Sequence, residues 1–585
     1  MTASGGAEIS LRIRIDGCYA CASVTGLMKS SSLGWIFVSF LAISVCLGQE
    51  PKPQPNPDLV AADRLQQSGN IPEAIAKYQQ VLKGDPRLLP AQAGLVRAYL
   101  RNEDVDAAYD LATTSLASQP NSAPLLSAMG WVRYRRGEIA DAEASFLAAK
   151  KSEPNLVDPY LGLNRVYRTA LLYRKAYDQV QKAHAISPND PAVQRAWLNI
   201  LPRSERIKAL EAYLAAPHPE GKTENAGLKA WLDYLKATAN QPTHACKLAN
   251  AVETTETPLH AMLRDPKHMN GYGLVVKLND HNQRLLLDTG AGGITINRRA
   301  AEKAGLKQIS KFEFSGIGNN GSRAAYYAVV DDVRIGDLEF KDCVVSVSEK
   351  SMGLDEDGLI GADVFSSYVV DIDFPEEKLR LIPLPKRPED ANEKATLSSE
   401  AASDADDQTE ATTAKPESKD GKSADEKVPA LRIPKDRYIA PEMASWSRIF
   451  RIGHNLLMPT RVNDSKLMLF ILDTGSFSNT MSPAAARGVT KIRGDESIKV
   501  KGLSGEVDKV YRADKAILQF GNLRQPNEDI VTFDISGISR DLGVEISGFL
   551  GFTTFRVVEM KIDYRDGLVT FVYDPSKLPA AMRPR

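Results

Sequence analysis

One segment of this chain is present twice. Leu285–Ile294 reads LLLDTGAGGI, and Phe470–Thr480 reads FILDTGSFSNT. Each is an apolar run, predicted to be a buried strand, that ends in Asp-Thr-Gly and a small residue, Ala291 or Ser476. The tripeptide alone occurs readily by chance, so the constraint lies in the residues downstream of each copy. Gly316, in FSGIGNNG, comes 28 residues after Asp288, and Gly502, in VKGLSGEV, comes 29 after Asp473. Glycine-punctuated tips between alternating strands predict β-hairpins, with Gly318 and Gly505 in the same tips. Gly358-Leu359-Ile360-Gly361 and Gly548-Phe549-Leu550-Gly551 come next, the closing Gly361 and Gly551 lying 73 and 78 residues after their aspartates. Both are followed by a strand–turn–strand pattern, VVDIDFPEEKLRLIP from Val369 and EMKIDYRDGLVTFVYD from Glu559. Four features in one order at nearly equal offsets imply a duplicated all-β unit.

These residues resemble the signature of retropepsin/pepsin-like aspartic proteases, whose catalytic unit is two Asp-Thr-Gly loops facing across a two-fold axis. The resemblance implies that Asp288 and Asp473 are catalytic. Two carboxyls held within a few Å cannot easily both ionise, so such a pair shares a proton and titrates as a unit. One member activates a water while the other protonates the scissile carbonyl. The resemblance makes Thr289 and Thr474 the residues that lock the loops, and Gly290 and Gly475 the positions of close backbone approach. The hairpins at Gly316–Gly318 and Gly502–Gly505 would be flaps over substrate. Leu359, Ile360 and Gly361, with Phe549, Leu550 and Gly551, match the second signature of the family. The copies differ after the tripeptide, AGGITIN against SFSNTMS, with Phe477 where the first has Gly292.

The first lobe is expected over 257–385 and the second over 428–574, each closer in size to the compact retropepsin lobe than to the pepsin lobe. Pairing within one chain is favoured over pairing between chains, because the linker gives the higher effective concentration. That linker, 388–427, carries 12 acidic residues against 5 lysines, with Leu397 its one large apolar side chain. It buries too little to offset ordering entropy and is expected to be disordered. Within the first lobe, His281 reads as a turn residue, and Tyr326 and Tyr327 as core packing.

Residues 58–250 read as helical and repetitive. Pro86, Pro120, Pro154 and Pro188 are 34 residues apart, as are Ala74, Ala108, Ala142 and Ala176, and Tyr78, Ala112, Phe146 and Val180. Gly69 and Gly137 share a phase. This pattern resembles tetratricopeptide repeats, paired antiparallel helices that stack into a superhelix. The small alanine admits close helix approach, the larger position fills between neighbours, and proline breaks the chain after the second helix. LKAWLDYLKATA, within 218–250, reads as a further helix that caps the array. The resemblance implies a protein or peptide partner on the concave face; the alternative is a spacer.

Residues 28–48 have a lysine start and an apolar core from Leu33 to Leu47, which resembles a secretory signal peptide with Met28 as the true start. An uncleaved anchoring helix is the alternative. Residues 49–57 form a Pro-rich spacer, and 575–585 a short basic tail. Cys18 and Cys21 have no second pair at zinc-site spacing, and the exported part retains Cys246 and Cys343, too few for a disulfide framework to be read. Seventy-three basic against 74 acidic side chains argue against a nucleic-acid partner. The expected molecule is an exported, multidomain protein: an all-α tetratricopeptide-like solenoid followed by two all-β retropepsin-like lobes. It would be an aspartic endopeptidase acting on peptide or protein substrates without metal or cofactor. The other reading is a protease-fold scaffold without useful activity.

Overall fold

Four helix pairs succeed one another at the 34-residue spacing. They are α1 (Pro57–Gln67) with α2 (Ile71–Gly84), α3 (Leu89–Arg101) with α4 (Val105–Ser118), α5 (Ala123–Arg135) with α6 (Ile139–Ser152), and α7 (Asp158–Thr169) with α8 (Tyr173–Ile186). This computed structural model describes residues 56–578 except 218–220, 240–245, 251, 266–267, 315, 319–320, 322, 350–356, 389–433, 496 and 503–504. Apart from these it describes one pair of two-residue strands, Arg14–Ile15 with Cys18–Tyr19. The signal-like segment, most of the spacer, most of the linker and all but the start of the tail lie outside the described residues. Among the described residues no helix is long and apolar enough to cross a membrane.

The repeat registers are internal. Ala74, Ala108, Ala142 and Ala176 are buried, and so are Tyr78, Ala112, Phe146 and Val180. The Phe146 ring lies against Gly130 of α5 and Gly162 of α7, where any Cβ would collide with it. Each pair turns through a left-handed residue at one phase: Gly69, Glu103, Gly137 and Leu171. Glycine takes that conformation freely, whereas Glu103 and Leu171 carry a strain of about 1–2 kcal/mol each. Leu171 is held there by complete burial, by the Arg437 amide donating to its carbonyl at 2.9 Å, and by packing on Gly567. Three further helices follow, α9 (Pro191–Leu198), α10 (Arg203–Ala215) and α11 (Lys222–Ala237).

The two lobes repeat one strand plan. In the first, His268–Leu278 pairs antiparallel with His281–Asp288, and Gly358–Gly361 then runs parallel beside the latter, placing Gly361 opposite Asp288. In the second, Asn455–Val462 pairs with Leu467–Asp473, and Gly548–Gly551 runs parallel, placing Gly551 opposite Asp473. Asn279 and Asp280 turn the first hairpin in left-handed backbone, as Asn463 and Asp464 do the second. His281 is the exposed residue that follows this turn.

A six-stranded sheet joins the lobes. Its central pair is Tyr368–Asp373 of the first lobe against Glu559–Asp563 of the second, so each lobe completes the other's hydrogen bonding. One apolar core runs through both, from Leu285 and Ile360 to Phe470, Leu550 and Phe555. The chain enters the first lobe before residue 257, since Lys247–Leu248 pairs with the strand Leu338–Ser348. The two cysteines in which no framework could be read are bonded there, Cys246 to Cys343.

The third and fourth helix pairs share a second core with the second lobe. Tyr134, Ile139, Phe146 and Val166 pack with Leu469, Ile471, Val544 and Phe549. Arg135 donates to the Ser539 carbonyl at 2.9 Å and Arg165 to the Leu542 carbonyl at 2.9 Å, while the Glu545 amide donates to the Arg135 carbonyl at 2.7 Å. At the far end of the array, Tyr234 of α11 lies 4.9 Å from Tyr327, whose ring stacks on Phe312 at 4.1 Å. Tyr327 is thus a half-buried contact between the helical part and the first lobe's hairpin, not core packing. The partly buried Tyr326 does pack against the lobe core.

Candidate active site

Both Asp-Thr-Gly loops leave the end of a buried strand and meet at the lobe boundary. The Thr289 amide donates to the Thr474 hydroxyl at 3.0 Å, and the Thr474 amide to the Thr289 hydroxyl at 3.1 Å. Each hydroxyl in turn donates to the carbonyl before the opposite aspartate, Thr289 to Leu472 at 2.8 Å and Thr474 to Leu287 at 2.9 Å. These four bonds all cross between the two lobes, and both threonines are buried. Serine and threonine are the smallest side chains able to donate and accept at once, which this arrangement requires.

The crossing bonds bring the Asp288 and Asp473 carboxyls into a hydrogen bond with each other. The Gly290 amide donates to Asp288 at 2.8 Å and the Ser476 amide to Asp473 at 2.9 Å. A Cβ on Gly290 would stand 2.9 Å from the Asp473 carboxyl carbon, and one on Gly475 would overlap the Asp288 carboxyl. These two glycines are needed for the approach itself. Burial pushes the Asp473 carboxyl well above the ordinary range, and the charge of Asp288 pushes it further. Burial also raises Asp288, opposed first by the Gly290 amide. Both shifts have the direction expected for carboxyls too close to ionise together.

The tips of the two hairpins meet each other. The first hairpin is Gln308–Phe314 with Arg323–Ile335, Gly316 and Gly318 lying in its tip. The second is the short pair Lys501–Gly502 with Gly505–Glu506. A Cβ on Gly502 would stand 2.6 Å from that of Ile317, so the tips touch. The Gly-x-x-Gly segments pack beneath, with Leu359, Ile360, Phe549 and Leu550 buried, while Gly361 and Gly551 sit against the loop backbones after Asp-Thr-Gly.

A family model described as aspartyl protease matches residues 274–364, and one described as tetratricopeptide repeat matches 65–131. The chain joins tetratricopeptide repeats to an aspartyl-protease fold. Over 108 residues it is 31% identical to the UBA domain-containing protein Mud1 of Schizosaccharomyces pombe (strain 972 / ATCC 24843), a stretch covering 18% of this chain. The chain spans about a third, 31%, of the length of that curated relative. A crystal structure of a thermophilic TPR protein of Thermus thermophilus is 18% identical, covers 31% of this chain and 97% of its own, and has a TM-score of 0.26. The second lobe of the protease fold is related to the first by the register described above, in which Gly361 and Gly551 stand opposite their aspartates.

Several side chains around the loops were not singled out by sequence. Asp363, two residues after Gly361, accepts from the Gly293 amide at 2.9 Å. In the second lobe Asn479 does the equivalent work from the other side, accepting from the Gly551 amide at 2.9 Å and the Thr554 hydroxyl at 2.8 Å. His454 lies half-buried against Gly292, beside the buried Arg451, whose guanidinium lies over the Tyr564 ring. The one sequence signal for His454 was the bare Gly292 opposite the bulky Phe477.

Proposed function

We propose that the protein is an exported aspartic endopeptidase in which Asp288 and Asp473 act as one dyad. One carboxylate takes a proton from water as that water attacks the peptide carbonyl, and the protonated partner gives its proton to the carbonyl oxygen. The observation that carries this reading is the reciprocal Thr289–Thr474 bonding, which holds two half-buried carboxyls in mutual contact within one chain. The touching tips at Ile317 and Gly502 suit flaps that part for an extended peptide and close to exclude water. Export is supported by the Cys246–Cys343 bond, because disulfides persist in oxidising compartments. The third and fourth repeats are packed on the second lobe, so capture of substrate or a protein partner falls to the first two.

The test is cleavage of a denatured protein mixture by the full chain across pH 3 to 8, beside Asp288→Asn and Asp473→Asn. Loss of cleavage in each single variant, by a factor on the order of 1,000 or more, is the expected result. Cleavage that survives either substitution would mean that the two aspartates are not one dyad. Absence of cleavage by the unaltered chain at every pH would favour a protein-binding scaffold.

A further inference from the structure

The two catalytic loops are not equivalent, and the difference centres on His454. It lies in the Gly453–His454 turn between strands Phe450–Ile452 and Asn455–Val462 of the second lobe. Its half-buried ring reaches across the lobe boundary and rests on Gly292, where a Cβ would stand 2.7 Å from Nδ1 and 2.8 Å from Cγ. Any side chain at 292 would displace it. The second loop has Phe477 at the matching position, 47% exposed. The imidazole therefore stands on the Asp288 side of the pair.

Two groups bond to the ring. Nε2 lies 3.3 Å from the Asn455 side-chain amide, which can present its oxygen to a protonated ring or its nitrogen to a neutral one. The ring also donates to the Gly290 backbone. Gly290 is the residue whose own amide donates to Asp288. The ionisable groups facing the ring are Asp288 from its strand end, Asp363 from the turn after Gly361, and Arg451 from the adjacent strand. Tyr564 lies under Arg451, and Asp473 lies beyond Asp288. Burial pulls the imidazole below its ordinary value while the Asp363 and Asp288 carboxylates oppose this, so it becomes charged on the acid side.

We propose that His454 is a positioning residue that makes the two aspartates unequal, clamping the Asp288 loop through Gly290 and, as a cation, keeping Asp288 the ionised member beside a protonated Asp473. In hydrolysis Asp288 takes the proton of the attacking water as the new C–O bond forms. Asp473 passes its proton to the carbonyl oxygen, leaving a neutral tetrahedral intermediate with the proton count unchanged. This assignment rests on the dyad reading above and adds which member is base and which is acid.

The imidazole signal of His454 can be followed by NMR from pH 4 to 8 in the full chain, with His454→Gln used to assign it among the seven histidines. Asp288→Asn is expected to lower its midpoint by about 1 pH unit, because a facing negative charge is lost. Asp473→Asn removes a group already neutral and is expected to move it far less. Equal displacement by both variants, or none by Asp288→Asn, overturns the proposal. A second arm compares pH profiles of kcat/KM for His454→Gln and His454→Phe. Gln can still donate to Gly290 and is expected to keep the melting temperature, while the acid limb moves up by about 1 unit, since Asp288 then protonates sooner. Phe cannot donate to Gly290 and is expected to lose more of kcat than Gln does. An acid limb unmoved in His454→Gln also overturns the proposal. If the unaltered chain cleaves nothing, the protease reading fails by itself, and the titration still decides whether His454 is coupled to Asp288 alone.

Discussion

The Thr289 and Thr474 amides each donate to the other's hydroxyl, at 3.0 and 3.1 Å, although 185 residues separate them. Because each hydroxyl also donates to the other lobe's backbone, neither loop has its geometry without the other.

Thr474→Val keeps the shape and deletes the hydroxyl. It leaves the Thr289 amide and the Leu287 carbonyl buried without their partner, at about 1–3 kcal/mol for each. A loss of about 2–5 kcal/mol in urea unfolding is expected, together with a larger fall in cleavage than in stability. An unfolding midpoint unchanged from the native chain would show that the crossing bonds do not hold the lobes together.

The flap tips provide a second test. Gly502→Val would drive its side chain into Ile317 and hold the hairpins apart. The expected outcome is faster amide exchange around 316–318 and a kcat/KM lowered by at least about tenfold, as a flap that cannot close no longer excludes water. A small fall in melting temperature is expected as well, because Ile317 also packs against the core shared by the repeats and the second lobe.

Asp563 predicts a pH dependence of stability. It sits in the strand joining the lobes, and burial together with the Asp566 charge raises its carboxyl to about 6. Its Oδ2 has no hydrogen-bond partner among the described residues. Between about pH 4 and 6 the folded chain keeps a proton that the unfolded chain has released, so this group's contribution falls as pH rises through that window. Asp563→Asn, which preserves an acceptor for the Asp566 amide, is expected to be more stable than the native chain at pH 7.5 by on the order of 1–3 kcal/mol. Near pH 4 the two should match. Denaturant titrations at the two pH values decide it.

The Cys246–Cys343 bond ties the segment leaving the helical array to a central strand of the first lobe. Cys343→Ser is expected to cost about 2–4 kcal/mol. Reductant should lower the melting temperature of the native chain toward that of the variant and leave the variant unmoved. A native chain insensitive to reductant under unfolding conditions would count against the bond and against the oxidising compartment.

Whatever repeats in this chain was legible in its sequence. The 34-residue period named the alanines and the larger residues that are buried in the helix pairs, because each repeat returns a residue to the same face. The duplicated Asp-Thr-Gly and Gly-x-x-Gly segments likewise named the strands that lie side by side at each loop, because their motifs are local. Contacts between parts distant in sequence leave no period to read, and these came from the fold alone. Gly292 and Phe477 differ visibly in the sequence, but only the fold brings His454, 162 residues on, into the space that Gly292 leaves. Leu171 looks like an ordinary repeat residue, yet its left-handed backbone is supported by Gly567 and Arg437 of the second lobe. Cys246 and Cys343 were two unassigned thiols until the strand order brought them together, and Tyr327 was a core residue until α11 reached it. Side-chain chemistry and spacing specify each unit; which units touch is set by the apolar surface each has left to bury, and that is a property of the folded whole.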